Sequence, residues 1–230
     1  AFVYNGSPSG LTGVNWSTAG GQDNSVYGFS VSSAGDVNSD GYADVIVGAP
    51  YYDNGQTDEG RAFVFHGSAA GLSAVANWSA ESDQASSLFG ISVSTAGDVN
   101  GDGYSDVIIG AHFYSNGQAN EGRAYAYYGS ASGLSITSNW TAENNNANSN
   151  FGNSVSTAGD VNGDGFSDVI IGAYNFSSNG RAYVYYGSAS GLSLTSNWNS
   201  TISQFAAQFG YSVSTAGDIN GDGYSDVIVG

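Results

Sequence analysis

The chain contains no cysteine, no methionine and no lysine. Arg61, Arg123 and Arg181 are its only basic residues against 20 acidic ones, and proline occurs twice. Without cysteine there are no disulfides, no zinc–thiolate sites and no thiol catalysis. Secretion stays open, because extracellular domains can be stapled by metal instead. A formal charge of −17 with no lysine leaves no electrostatic footprint for a nucleic-acid backbone or an anionic membrane surface. No apolar run approaches the ~20 residues of a spanning helix, so membrane insertion is not expected. Only 10% of residues are charged and 13% are aromatic, which argues against disorder. No signal peptide is visible and the sequence opens at Ala1. It therefore reads as a processed chain or a window cut from a longer one.

What the chain does have is repetition. Asp36, Asp98, Asp160 and Asp218 open four nearly identical segments spaced 62, 62 and 58 residues apart. Trp16, Trp78, Trp140 and Trp198 keep the same spacings, as do Tyr27, Phe89, Phe151 and Phe209, each followed by glycine. The shortening sits in the loop Tyr174 to Gly180. Segments Ser92 to Ala111 and Ser154 to Ala173 differ only at Tyr104 against Phe166. Divergence that low points to recent duplication or to design.

Within a repeat the pattern is all strand. Phe89 to Ser94 alternates small polar and apolar residues. Asp106 to Gly110 is a β-branched run suited to burial on both faces. Arg123 to Tyr128 is a third, aromatic strand, and a fourth passes through Asn139-Trp140-Thr141. Four short strands in about 60 residues, repeated, predict an all-β fold built from β-propeller blades; the alternative is a linear β-solenoid, whose coils are usually shorter, roughly 20–30 residues. The small first strand suits the crowded axis and the aromatic third strand a wider radius. Expected boundaries are strands three and four of a split blade at 1–26, blades at 27–88, 89–150 and 151–208, and strands one and two at 209–230. The ends would then close one ring by sharing a blade, or pair with other copies or further blades.

Between strands one and two each repeat places an acidic loop. In Asp98-Val99-Asn100-Gly101-Asp102-Gly103-Tyr104-Ser105-Asp106, oxygen side chains fall at positions 1, 3, 5 and 9. A tight turn points alternate side chains inward, and position 7 would offer its carbonyl. Five or more hard oxygen donors suit calcium; zinc would prefer nitrogen or sulfur. The expected ligands are Asp36, Asn38, Asp40, Tyr42 and Asp44; Asp98, Asn100, Asp102, Tyr104 and Asp106; Asp160, Asn162, Asp164, Phe166 and Asp168; and Asp218, Asn220, Asp222, Tyr224 and Asp226. About one structural ion per repeat is expected. The loop is not an EF-hand, since Ile109 stands where that loop has glutamate and strands flank it. Ser39 replaces the glycine of the other copies, which predicts strain. The bland reading, solvated Asx turns, leaves three aspartates per loop repelling one another without compensation.

These residues resemble the FG-GAP repeats of integrin alpha-chain propellers. Phe89-Gly90 supplies the first half of that name, and Gly110-Ala111, or Gly48-Ala49-Pro50 in the first repeat, the second. The Gly-Ser-Ala-Ser-Gly-Leu stretch at 129–134 is similar to bacterial secreted versions. The third residue departs at His112 and Tyr174. The resemblance implies a propeller, often seven-bladed, with calcium in loops on one face. It implies roles in cell adhesion, in glycan binding by lectins of similar build, or as a non-catalytic module, in an extracellular or cell-surface setting.

Catalysis is not expected. His66 and His112 lie at non-equivalent repeat positions, where histidine is ordinarily a surface or packing residue, and nearly every other polar residue has counterparts in other repeats, whereas catalysis needs a singular constellation. No nucleophile elbow or phosphate loop occurs. The repeated Gly-Arg-Ala suggests arginines that anchor a hairpin. The expected function is a calcium-binding scaffold that contacts copies of itself, glycans or cell-surface proteins. The rival is a multivalent lectin in which Trp16, Trp78, Trp140 and Trp198 stack on sugars; otherwise they cap the apolar layer between blades. Asn15-Trp16-Ser17, Asn77-Trp78-Ser79 and Asn139-Trp140-Thr141 are formal glycosylation acceptors.

Overall fold

Short apolar runs separated by glycine and asparagine can only meander, because each run ends before it could form a helix and the next turn reverses the chain. The computed structural model describes residues 1–230 and is built almost wholly of antiparallel hairpins. β1 (Phe2–Ser7) and β2 (Gly10–Ser17) form a two-stranded sheet. A four-stranded sheet follows, in the order β3 (Ser30–Gly35), β4 (Asp44–Ala49), β5 (Arg61–Phe65) and β6 (Trp78–Glu81). The next repeats the pattern with β7 (Ser92–Gly97), β8 (Asp106–Ala111), β9 (Arg123–Tyr127) and β10 (Trp140–Ala142). A third contains β11 (Phe151–Gly159), β12 (Asp168–Ala173), β13 (Arg181–Tyr185) and β14 (Trp198–Ser200). β15 (Val213–Gly217) and β16 (Asp226–Val229) form a last two-stranded sheet. The shortened third loop carries the one helical turn, a 3-10 segment at Phe176–Ser178.

The expected blades are therefore present in strand number and order, and β3, β7, β11 and β15 neighbour one another at the inner edge. The solenoid alternative fails, because each sheet runs outward from this edge rather than coiling along a shared axis. The end hairpins each form a two-stranded sheet.

The core lies between sheets. One apolar cluster joins Val64 and Trp78 to Val107, Ile109 and Tyr127 of the next sheet. A second joins Ile108 and Trp140 to Val169, Ile171 and Tyr185. The middle strands β8 and β12 are buried along their whole length, as a run apolar on both faces requires.

The Phe-Gly and Gly-Ala pairs form the joints. Phe89 is fully buried and meets Tyr125 edge to face at 5.1 Å. Gly90 has φ 84°, the left-handed region that glycine adopts at no steric cost. A Cβ on Gly48 would lie 2.0 Å from the carbonyl oxygen of Gly90, and one on Gly110 would lie 1.8 Å from that of Gly152. The two conserved-in-repeat glycines thus let one blade's second strand touch the entry to the next, backbone against backbone.

The tryptophans complete the joint. Trp16, Trp78 and Trp140 each donate the indole N–H to a carbonyl of the following sheet, at Ser73, Ser135 and Ser193, over 2.9, 2.8 and 2.9 Å. Each ring meets an aromatic there edge to face, with Phe65, Tyr127 and Tyr185 at 4.9, 4.8 and 5.0 Å. The capping role expected as the alternative to sugar stacking is the one these three adopt. Trp198 lies 41% exposed. The arginines anchor hairpins as expected: Arg123 bonds Glu143 at 2.8 Å and lies over Tyr114 at 4.1 Å, and Arg181 lies over Phe176 at 4.0 Å.

Candidate metal centre

The loop from β7 to β8 is shaped by its own backbone. Asp98 accepts N–H bonds from Gly101 (2.7 Å) and Asp102 (3.2 Å) on Oδ1 and from Gly103 (2.8 Å) on Oδ2. Asn100 Oδ1 accepts from Asp102 at 3.0 Å, and Asp102 Oδ1 from Tyr104 at 3.0 Å. Alternate side chains are thereby folded toward the loop interior. Asn100 Nδ2 reaches Asp102 Oδ2 at 2.9 Å. The copies at Asp160-Asn162-Asp164 and Asp218-Asn220-Asp222 repeat these contacts.

The first copy differs at two points, Ser39 in place of glycine and Ala43 in place of serine. Ser39 is held at φ 55°, where Gly101, Gly163 and Gly221 sit at 73°, 74° and 74°. Asp36 accepts from Asp40 (3.1 Å) and Gly41 (2.8 Å), but the bond that Gly101 gives Asp98 has no counterpart from Ser39. The expected strain is visible as a left-handed serine and a lost hydrogen bond.

The ninth residue of each loop is placed differently from the first five. Asp106 is fully buried at the start of β8 and accepts Val99 N–H at 2.9 Å and Gly129 N–H at 2.9 Å. Asp44 does the same with Val37 (2.9 Å) and Gly67 (2.8 Å), and Asp168 with Val161 (2.8 Å) and Gly187 (2.9 Å). Asp226 keeps only the first of these, from Ile219 at 2.9 Å. Each carboxylate oxygen keeps a lone pair beyond its one N–H bond. The ninth aspartate therefore ties the loop to the hairpin between strands three and four and still has capacity for an ion.

The electrostatics are unbalanced. Burial pushes the Asp106 carboxyl up to about 7 and Asp168 up to about 6, against the pull of their backbone donors. Asp102 and Asp98 add to the rise at Asp106, as Asp164 and Asp160 do at Asp168. By contrast, the N–H groups led by Gly223 hold Asp218 below its ordinary value. Both ion pairs in the structure lie elsewhere, Arg61 with Glu81 and Arg123 with Glu143. In none of the four loops do the three aspartates each bring an oxygen within 4.8 Å of the other two; three carboxylates with no cationic side chain fit a hard divalent cation by donor chemistry alone.

The loops form a row. Ser105 N–H bonds Asp36 carbonyl at 2.9 Å while its hydroxyl accepts Asp36 N–H at 3.1 Å. Ser167 and Ser225 reach the carbonyls of Asp98 and Asp160 at 2.9 and 2.8 Å. Sequence reasoning missed these serines; their signal was the invariance of the eighth loop position in the last three copies. Two of the three formal glycosylation asparagines, Asn77 and Asn139, accept the N–H of His66 and Tyr128 at 2.9 and 2.8 Å, and Asn197, which heads no acceptor sequence, does the same for Tyr186 at 2.9 Å.

The opposite ends of the inner strands surround a cavity of about 380 Å³. Tyr51, Phe113, Tyr174 and Tyr211 line it together with His112 and Asn153. His112 is a packing residue, buried with its Nδ1 3.0 Å from Asn153 Oδ1. His66 stands beside the first loop, its Nδ1 3.4 Å from Asn38 Nδ2.

The FG-GAP repeat family matches at residues 27–65, 89–127, 151–185 and 209–230. The chain belongs to the FG-GAP repeat family. Integrin alpha chains are among its relatives. Integrin alpha-V of Gallus gallus is 32% identical over 220 residues, 90% of this chain and 20% of that protein. Integrin alpha-PS2 of Drosophila melanogaster is 30% identical over 225 residues, 90% of this chain and 15% of that protein. Integrin alpha-7 of Mus musculus is 33% identical over 150 residues, 65% of this chain and 12% of that protein. This chain thus spans a fifth or less of the length of these relatives. The matched segments each start at the Phe-Gly or Tyr-Gly joint; the first three cover the first three strands of a structural blade, and the fourth covers the two strands β15 and β16. No helix is long and apolar enough to cross a membrane.

Proposed function

We propose that this chain is a non-catalytic, calcium-stabilised, extracellular β-propeller array with an adhesion, interaction or scaffold role. The observation that carries the reading is the row of loops, each with three carboxylates and no cationic partner. Asp36, Asp98, Asp160 and Asp218 and their loop partners at positions 3, 5, 7 and 9 would hold one ion each. Calcium would supply the missing charge and rigidity, and the tryptophan and glycine joints would pass that rigidity from blade to blade. The integrin alpha relatives support surface contact with other proteins as the use of such an array. Residues 1–26 and 209–230 read as the outer and inner halves of a blade, completed in one ring or between copies. Light scattering in calcium separates those two arrangements by mass.

Thermal unfolding in calcium and in EDTA tests the metal reading. A loop filled at a hundredfold over its Kd adds about 2.7 kcal/mol, or roughly 5–10 °C in Tm at this chain length. An unchanged Tm in EDTA sinks it. The aromatic cavity favours a second reading, a glycan site in place of the tryptophan sites. Sugar binding that survives Trp198→Ala and is lost in Tyr211→Ala would support it; binding lost with Trp198 would count against the cavity.

A further inference from the structure

A second acidic cluster lies at the outer side of the blade of residues 27–88, away from the glycine–aspartate loops. Glu59, Glu81 and Asp83 each bring a carboxylate oxygen within 4.8 Å of the other two. They come from separate places: Glu59 from the turn before β5, Glu81 from the end of β6, and Asp83 from the link toward the next blade. Glu59 is fully buried. Its Oε1 is pinned by the backbone N–H of Asn54 at 2.6 Å and of Gln56 at 3.4 Å. Its Oε2 is enclosed and makes no hydrogen bond. Glu81 divides its oxygens in the same way. Oε1 accepts from Asn54 Nδ2 at 2.8 Å, and Oε2 is enclosed without a hydrogen bond.

An enclosed carboxylate oxygen with nothing to bond is costly, and a second carboxylate beside it raises that cost. Arg61 compensates only one charge. Its Nε stands 3.7 Å from Glu81 Oε2, and its Nη2 is turned away to Ser79 Oγ at 2.8 Å. Three carboxylates and one guanidinium leave two negative charges uncompensated.

We propose that Glu59, Glu81 and Asp83 form a further divalent-cation site, distinct from the four glycine–aspartate loops and suited to a hard ion such as calcium. The donors are all carboxylate oxygens, the set that hard cations prefer. Glu59 is preorganised, because its other oxygen is already fixed by the backbone. Asp83 is exposed and gives the ion its way in. The ion would also brace the joint to the next blade, since the Glu59 carbonyl accepts the Phe89 N–H at 3.0 Å and the Ser87 hydroxyl at 2.8 Å.

The other blades show why the site occurs once. Glu121 repeats Glu59, fully buried and with an enclosed, unbonded Oε2. There, however, Arg123 takes Glu143 Oε2 through both Nε and Nη2, at 3.1 and 2.8 Å, and Asn145 replaces the aspartate. The arginine there compensates Glu143 directly, and with asparagine at 145 one carboxylate, Glu121, is left to balance instead of two. In the third blade Asn179, Thr201 and Ser203 occupy these positions, and no carboxylate remains.

Equilibrium dialysis with radioactive calcium tests the site by comparing the full chain with Glu81→Gln/Asp83→Asn. The double variant is expected to bind one ion fewer than the unaltered chain, whatever number the loops take up. Asp98→Asn/Asp102→Asn, which alters a loop, should leave that difference in place. The single change Asp83→Asn, at an exposed position that cannot unfold the chain, should weaken the same ion by at least about tenfold, the scale of even outer-shell changes at metal sites. Equal ion counts and equal affinities in all three cluster backgrounds would overturn the proposal and leave a proton shared between Glu59 and Glu81 as the resolution of the cluster.

Discussion

Ser39 shows how one residue departs from its repeat and what that costs. A non-glycine residue in the left-handed region is disfavoured by roughly 1–2 kcal/mol, partly offset by the greater unfolded-state freedom of glycine. Ser39→Gly should therefore raise stability by about 0.5–1 kcal/mol, read as a higher urea midpoint. The reverse change at Gly101 meets the Phe166 ring 2.6 Å from the new Cβ, so Gly101→Ala should cost about 2 kcal/mol or more. His112 gives a pH dependence. Burial lowers its pKa, so the native state resists a proton that the unfolded chain accepts near the ordinary histidine value of about 6.5. Below that value the unfolded state binds more protons, and stability falls as pH falls through the folded pKa. His112→Tyr, which installs the residue of the next repeat, should flatten that part of a Tm-against-pH curve.

At the scale of elements, the blade is less a unit than the joint between blades. Trp140 is 4% exposed, and its ring and N–H both engage the following sheet. Trp198 occupies the same repeat position at 41% exposure. Trp140→Ala should cost about 3–5 kcal/mol, and Trp198→Ala under half of that. Equal losses in denaturant titrations would mean that the tryptophans stabilise their own sheets rather than the joints. The glycines at Gly110 and Gly152 belong to the same device, because a methyl group at either would separate two backbones that now touch.

For the whole molecule, charge decides the response to solvent. Twelve of the 20 acidic residues sit in the four loops, and those loops are linked edge to edge. Their mutual repulsion acts over distances that salt screens, about 8 Å at physiological ionic strength. In EDTA, added sodium chloride should raise Tm. In saturating calcium the same addition should change it much less, since the loop charge is then compensated locally. A salt response that is the same with and without calcium would place the repulsion outside the loops.

The sequence by itself determined the repeat, the all-strand pattern, the order of strands in a blade and the candidate calcium ligands. Each of these is local: Asp98 to Asp106 carries its own spacing, and Asp106 to Gly110 its own burial signature. The strain at Ser39 was legible for the same reason, as the one copy without glycine at the fourth loop position. Tertiary structure alone decided the rest. Trp78 reads equally as a sugar platform or a cap until Ser135 and Tyr127 are seen beside it, 57 and 49 residues away in the chain. The role of Asp106 as a buried tie to Gly129 depends on a hairpin that only folding brings near. Glu59, Glu81 and Asp83 share no spacing that marks a motif, because the register of β5 against β6 and the path of the outgoing link place them together. Contacts between strands are set by pairing and by blade-to-blade packing, and neither is written in any one stretch of residues.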